Sequence, residues 1–294
     1  MVSVGLVGAA LAAGLSAGAG TPNVAADTQT PATLTIANYV GAVEVVRSQT
    51  GRIEFSERSA GQAGDLSVEA SADGRQLKVS GAPVASGLNC TKQNGAVKVQ
   101  RGSADARAIE TFPDLVIAVP QDAQIEVQVI AGSISLASGR TIDGTFQGCA
   151  DVTIGASADE IKLVTSGSVA MSVERAQALD LIAQGGARIQ IGEIAETGTL
   201  DLQGASRVEI AATAGALNIN QDGASRVTVV GGETSDLALA MTGAARFEHN
   251  GDVDRAEIDL ARAARASLAS LESLESVSLA RAARLQIANE SVEG

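Results

Sequence analysis

Six arginines, Arg188, Arg207, Arg226, Arg246, Arg265 and Arg284, follow one another at steps of 19, 19, 20, 19 and 19 residues. Each sits between a small residue and an apolar one, as in Ser206-Arg207-Val208, Ser225-Arg226-Val227 and Ala283-Arg284-Leu285. A guanidinium is a permanent cation whose planar fork of donors matches carboxylate, sulfate and phosphate oxygens two at a time. If the repeat stacks, the six forks form one column, an anion-binding strip suited to phosphates, uronates or sulfated sugars. The same column also reads as a solvated stripe. Its balancing acids would be Glu209 and Glu248 along the same strands, and Asp180, Asp201 and Asp259 on another face. Like charges at strand spacing repel by roughly 1 kcal/mol per near pair or less in water, so both readings are tolerable.

The remaining reactive residues are few. The 294-residue chain has one His, one Tyr, two Cys and no Trp, which leaves no material for a His-rich metal site or a zinc ribbon. Cys90 and Cys149 enclose a long loop, and in an exported protein the expectation is a disulfide tying the N-terminal part to the first coils. His249 follows Arg246-Phe247-Glu248, but neither a nucleophile nor a second acid recurs beside it, so it reads as a structural strand residue. No phosphate-binding loop, dinucleotide motif or calcium nonapeptide is present, and no cofactor or metal is expected. Acids outnumber bases 34 to 21, and the net charge of −13 argues against a nucleic-acid partner.

The elements that would carry the arginines are short strands. Between the arginine segments lie Leu179-Asp180-Leu181, Leu200-Asp201-Leu202, Leu217-Asn218-Ile219, Leu237-Ala238-Leu239, Ile258-Asp259-Leu260 and Val277-Ser278-Leu279. Apolar residues two apart mark a strand with one buried face. Each period therefore holds two strands joined by Gly, Ala and Ser corners, and a unit this small buries its apolar face only by stacking on the next. The expected fold is all-β: a single-stranded parallel β-helix, or β-solenoid, of about 19-residue coils. Earlier coils without arginine are visible at Gly132–Leu136, Asp151–Ile154 and Gly167–Met171. No proline occurs after Pro120, as a region of paired strands requires. Residues 261–285, rich in Ala, Leu, Glu and Arg, also fit a helical cap, although Arg265 and Arg284 stay in phase with the coils.

Three regions follow. Residues 1–26 read as a signal segment and the start of a linker: a short apolar run from Val4 to Leu15 precedes small-residue cleavage sites. Residues 27–125 form a strand-rich part capping the solenoid, and 126–294 hold the coils, with one continuous structural domain from about residue 33. The expected location is outside the cytoplasm, in the periplasm or at the cell surface, with no transmembrane span in the mature chain. An exposed last strand points to weak end-to-end self-association through the C-terminal coil.

Several stretches resemble the auto-transporter adhesin head (GIN) domain family of exported bacterial β-helix proteins. The opening NYVGAVEVVRSQTGRIEFSERSAG and DLSVEASADGRQLKVSG are similar to that family's start. PDLVIAVPQDAQIEVQVIAGSISL is similar to its middle, and GASRVEI and GASRVTV to its repeat corners. The likeness covers roughly residues 33 to 290 and is one of pattern. Where this chain places arginine in the corners, the family usually has an acidic or polar residue. The resemblance implies an adhesin-like or envelope-interaction module and carries no catalytic residues. Anionic polysaccharide or an envelope surface is the expected partner. The alternatives are a polysaccharide lyase acting through arginine and acid groups on one face, or a purely structural periplasmic scaffold.

Overall fold

The computed structural model describes residues 31–293, apart from 60, 62–65, 82–87, 94–95, 102–104, 156–157 and 288–289. The proposed signal segment lies outside the described residues. Pro31–Gly294 form one compact unit.

One coil shows why the repeat closes. At Gly185 the chain turns with φ 100°, a left-handed value that glycine adopts without steric conflict. Ala187 then faces inward, Arg188 outward, Ile189 inward, Gln190 outward and Ile191 inward. Gly192 bends the chain where a β-carbon would lie 2.3 Å from the Glu174 carbonyl oxygen of the coil before. Ile194, Leu200 and Leu202 complete the buried set, and each such side chain contributes about 1.5–3 kcal/mol on removal from water. The alternation predicted two strands per period. The coils hold a third paired segment, for example Glu193-Ile194 on Ala212-Thr213, too short to show a period in the sequence.

Chain order begins with β1 (Thr33–Arg47), β2 (Glu54–Ser59), β3 (Ser67–Ala70) and β4 (Gln76–Ser80). A side sheet follows, β5 (Leu88–Gln93), β6 (Ala96–Arg101) and β7 (Arg107–Ala108), and then β8 (Asp114–Val119). The coils proper run through β9 (Gln124–Leu136), β10 (Thr141–Ile154), β11 (Ala158–Gly167), β12 (Ala170–Gly185) and β13 (Arg188–Gly204). They continue through β14 (Arg207–Thr213), β15 (Ala216–Gly223), β16 (Arg226–Gly243), β17 (Arg246–His249) and β18 (Asp252–Arg262). The last elements are β19 (Arg265–Leu268), β20 (Ser273–Arg281), β21 (Arg284–Ile287) and β22 (Glu290–Glu293). Successive coils pair in parallel, and the fold is a β-solenoid of about eight turns.

β1 is itself a rung. Its first half pairs in parallel with β4 on one side and β9 on the other, and its second half pairs with β8 and β9. β1 therefore lies inside the stack, and the chain after it moves outward to lay down β4 and β8 and then resumes on the inner side of β1. Antiparallel β2 and β3 pair with β8 and β4 at this end.

Residues 261–285 form strands, not a helix: β19, β20 and β21 stack on the coils before them. Helix propensities favour Ala, Leu and Glu by only tenths of a kcal/mol per residue. Parallel pairing to the preceding coils and burial of Ala264, Leu268 and Leu285 outweigh that preference. At the C-terminal end β22 folds back antiparallel over β21. β20 has no strand on its outer side among the described residues, and Leu274 and Val277 there are 37% and 43% exposed.

The side sheet rests on a second small core of Val40, Val97, Val99, Phe112, Ile130 and Ala131. Cys90 on β5 and Cys149 on β10 form the expected disulfide, with Cα atoms 5.9 Å apart, and Lys92 Nζ meets Asp151 Oδ1 at 2.6 Å beside it.

Candidate anion-binding face

The six arginines stack. Arg188 partners Arg207 across adjacent coils, Arg207 partners Arg226, and the register continues through Arg246, Arg265 and Arg284. All six are exposed, because each lies next to an inward residue of the core: Ile189, Val208, Val227, Phe247, Ala266 and Leu285. Small residues make the tight corner before them possible, and Ala187, Ser206, Ser225, Ala245, Ala264 and Ala283 are all buried. Two residues further along each strand, still on the outer surface, runs a second column of Gln190, Glu209, Thr228, Glu248, Ser267 and Gln286. Between the two columns from Arg226 to Arg284 lies an open trough of about 490 Å³.

Charge pairing distinguishes these stacked arginines from three others on the coils. Those three each meet an acid on the adjacent coil: Arg140 pairs with Asp159 at 3.0 Å, Arg175 with Glu193 at 3.4 Å and Arg255 with Asp236 at 2.6 Å. Hydrogen bonds from Arg255 and Ser235 hold the Asp236 carboxyl below the usual carboxylate range, and Asp236 in turn raises Arg255. In the column, arginine lies over arginine. Arg188, Arg207, Arg226, Arg246 and Arg265 form no ion pair among the described residues, although Glu209 and Glu248 stand on the same strands. Asp180, Asp201 and Asp259 lie on the other long segment of the coil, where Asp180 is flanked in register by Lys162 and Thr199, Asp201 by Ile182 and Asn220, and Asp259 by Ala240 and Ser278.

The proton carriers are elsewhere. The sole His and the sole Tyr are both fully buried. Tyr39 donates to the Pro113 carbonyl at 2.7 Å, and burial, with Asp114 and Glu57 nearby, raises its phenol well above the ordinary value. His249 takes an inward position that Val229 and Leu268 occupy in the flanking coils, and burial lowers its pKa. No group of three His, Cys, Asp or Glu is placed to hold a metal ion among the described residues. No described helix is long and apolar enough to cross a membrane.

Sequence reading passed over Arg262 and Arg281. They lie on the other side of the same corners, three residues before Arg265 and Arg284. Their signal was the repeated Arg-Ala-Ala-Arg, which breaks the pattern of glycine at that corner in the earlier coils.

Together these features define an all-β solenoid with one cationic stripe on an acidic body. No protein-family model matches the chain, and no curated protein matches it. Among solved structures it is similar to a candidate cell adhesion protein from Clostridium sporogenes, at 12% identity and a TM-score of 0.30, over 64% of this chain and 92% of that one.

Proposed function

We propose that the protein is an exported, non-enzymatic adhesin-like or envelope-interaction module that holds anionic polysaccharide along the column from Arg188 to Arg284. One observation carries the reading: Arg140, Arg175 and Arg255 are each neutralised across coils, whereas Arg188, Arg207, Arg226, Arg246 and Arg265 stack in register with no ion pair among the described residues. The forks repeat at the strand spacing of about 4.8 Å, so an extended polyanion lying along the column meets several of them at once. The acidic body repels a polyanion everywhere else and focuses it on the stripe. Export is supported by the Cys90–Cys149 disulfide, since such bonds persist mainly in oxidising compartments. The adhesin-like role is supported by the resemblance of residues 33–290 to the GIN family.

The test is retention on immobilised anionic polysaccharide. Wild type is expected to bind, and the variant R207A/R226A/R246A to pass through. Equal retention of both would remove the column from the function. Release of unsaturated uronate, seen as rising ultraviolet absorbance on incubation, would replace this reading with a lyase.

A further inference from the structure

The corner before the column has its own history along the stack. In five successive coils it is glycine, Gly167, Gly185, Gly204, Gly223 and Gly243, with φ between 86° and 100°. A β-carbon at Gly243 would lie 2.5 Å from the Gly223 carbonyl oxygen. In the last two coils the position belongs to Arg262 and Arg281, both at φ 66°. The Ala263 amide donates to the Gly243 carbonyl at 2.9 Å, which places Arg262 over Gly243, and Arg281 partners Arg262 in register.

L residues seldom enter this region, and where glycine is absent Asn and Asp are the usual occupants. Arginine satisfies no backbone need there, so its side chain is the reason for it. Arg262 and Arg281 are exposed and have no ion-pair partner among the described residues. Each precedes a column arginine by three residues, so at most about 11 Å separates the two Cα atoms. The two rows are one strand spacing apart, about 4.8 Å. Arg262, Arg265, Arg281 and Arg284 thus occupy a two-by-two array of backbone positions at the C-terminal end of a single-file column.

We propose that this array is a subsite for tetrahedral oxyanions, sulfate or phosphate esters, on the polysaccharide that lies along the column. The proposal rests on the column reading above. A carboxylate has one two-oxygen edge and is satisfied by one fork, as the single file provides. A sulfate or phosphate ester has three terminal oxygens and accepts from two forks at once, as the paired corner provides.

The experiment measures binding of the full chain, R262G/R281G and R207A/R226A/R246A to immobilised dextran sulfate and polygalacturonate at one ionic strength. R262G/R281G restores the residue of the preceding coils, and its thermal midpoint, expected to equal or exceed that of wild type, verifies the fold. Its affinity for dextran sulfate is expected to fall about tenfold or more, the loss of one bidentate contact, with polygalacturonate binding little changed. Equal losses on both polymers, or unchanged binding to dextran sulfate, would overturn the subsite. Retention of both polymers by R207A/R226A/R246A would instead overturn the column reading.

Discussion

His249 Nε2 lies 2.8 Å from Thr234 Oγ1, and both side chains are fully buried between coils. The Gly251 amide donates to Nδ1 at 3.2 Å, so the proton of the neutral ring sits on Nε2 and is given to Thr234. Thr234 is in turn 2.7 Å from Thr213 Oγ1. Protonating the ring would put a second proton on Nδ1, against the Gly251 N–H.

The pH dependence of stability follows. The folded pKa of His249 is lowered, burial being the main cause, while the unfolded ring titrates near 6.5. Above the unfolded value neither state takes up a proton and the group contributes no pH dependence. As pH falls below it, only the unfolded chain binds the proton, and stability declines. Asp252 is the charged neighbour, and it opposes the shift without reversing it. Thermal midpoints of wild type should therefore fall between about pH 7 and pH 5 relative to H249L. That variant restores the aliphatic residue of the neighbouring coils and leaves Thr234 bonded to Thr213. Parallel pH profiles for the two proteins would contradict this account.

Adjacent glycines offer an internal control for the corners. Gly185 has φ 100°, and a β-carbon there would lie 3.1 Å from Gly167 backbone atoms, whereas a β-carbon at Gly186 would meet nothing within 4 Å. Gly185→Ala should destabilise by about 1–2 kcal/mol, and Gly186→Ala should be neutral or slightly stabilising. Denaturant midpoints of the two variants measure the difference.

The disulfide closes a loop across 59 residues of sequence. Loop-closure entropy gives a stabilisation of about 4 kcal/mol for that length. Because Cys90 and Cys149 tie the side sheet to β10, C90S/C149S should expose β5 to β7 first. Hydrogen exchange should rise there well before it rises in β13 to β16.

Binding along the column should depend on salt and not on pH. Screening shortens from roughly 10 Å at 0.1 M to 3 Å at 1 M, so polyanion retention should be lost toward the upper end of that range. Guanidinium groups stay charged throughout the neutral and mildly alkaline range, so retention should be level from about pH 6 to pH 9. A loss of binding through that window would point to another group.

Most of the solenoid was legible because its evidence repeats. From Arg188 to Arg284 each coil restates an arginine between a buried small residue and an inward apolar one, so a helix-forming composition in 261–285 could not override the phase. The column was legible for the same reason, since parallel in-register stacking brings equal positions together. What escaped was set by single positions. Arg262 and Arg281 break a pattern held by glycine, and their meaning depends on a left-handed backbone that the sequence does not display. The hydrogen-bond chain from Thr213 to His249 crosses two coils at inward positions filled elsewhere by aliphatic residues. The place of β1 depends on pairings to β4 and β9, such as Thr33 with Gln76 and Thr33 with Gln124, that are distant in sequence.

That placement dictates an order of assembly. A chain made from its N-terminus holds β1 without either neighbour until residues 76–136 have followed it, because the first rung is completed from both sides by later segments. From β10 onward each new turn needs only the one before it. Contact order therefore makes the start of the solenoid non-local and slow and its continuation local and fast, and a ribosome releasing the chain vectorially supplies the parts in that sequence.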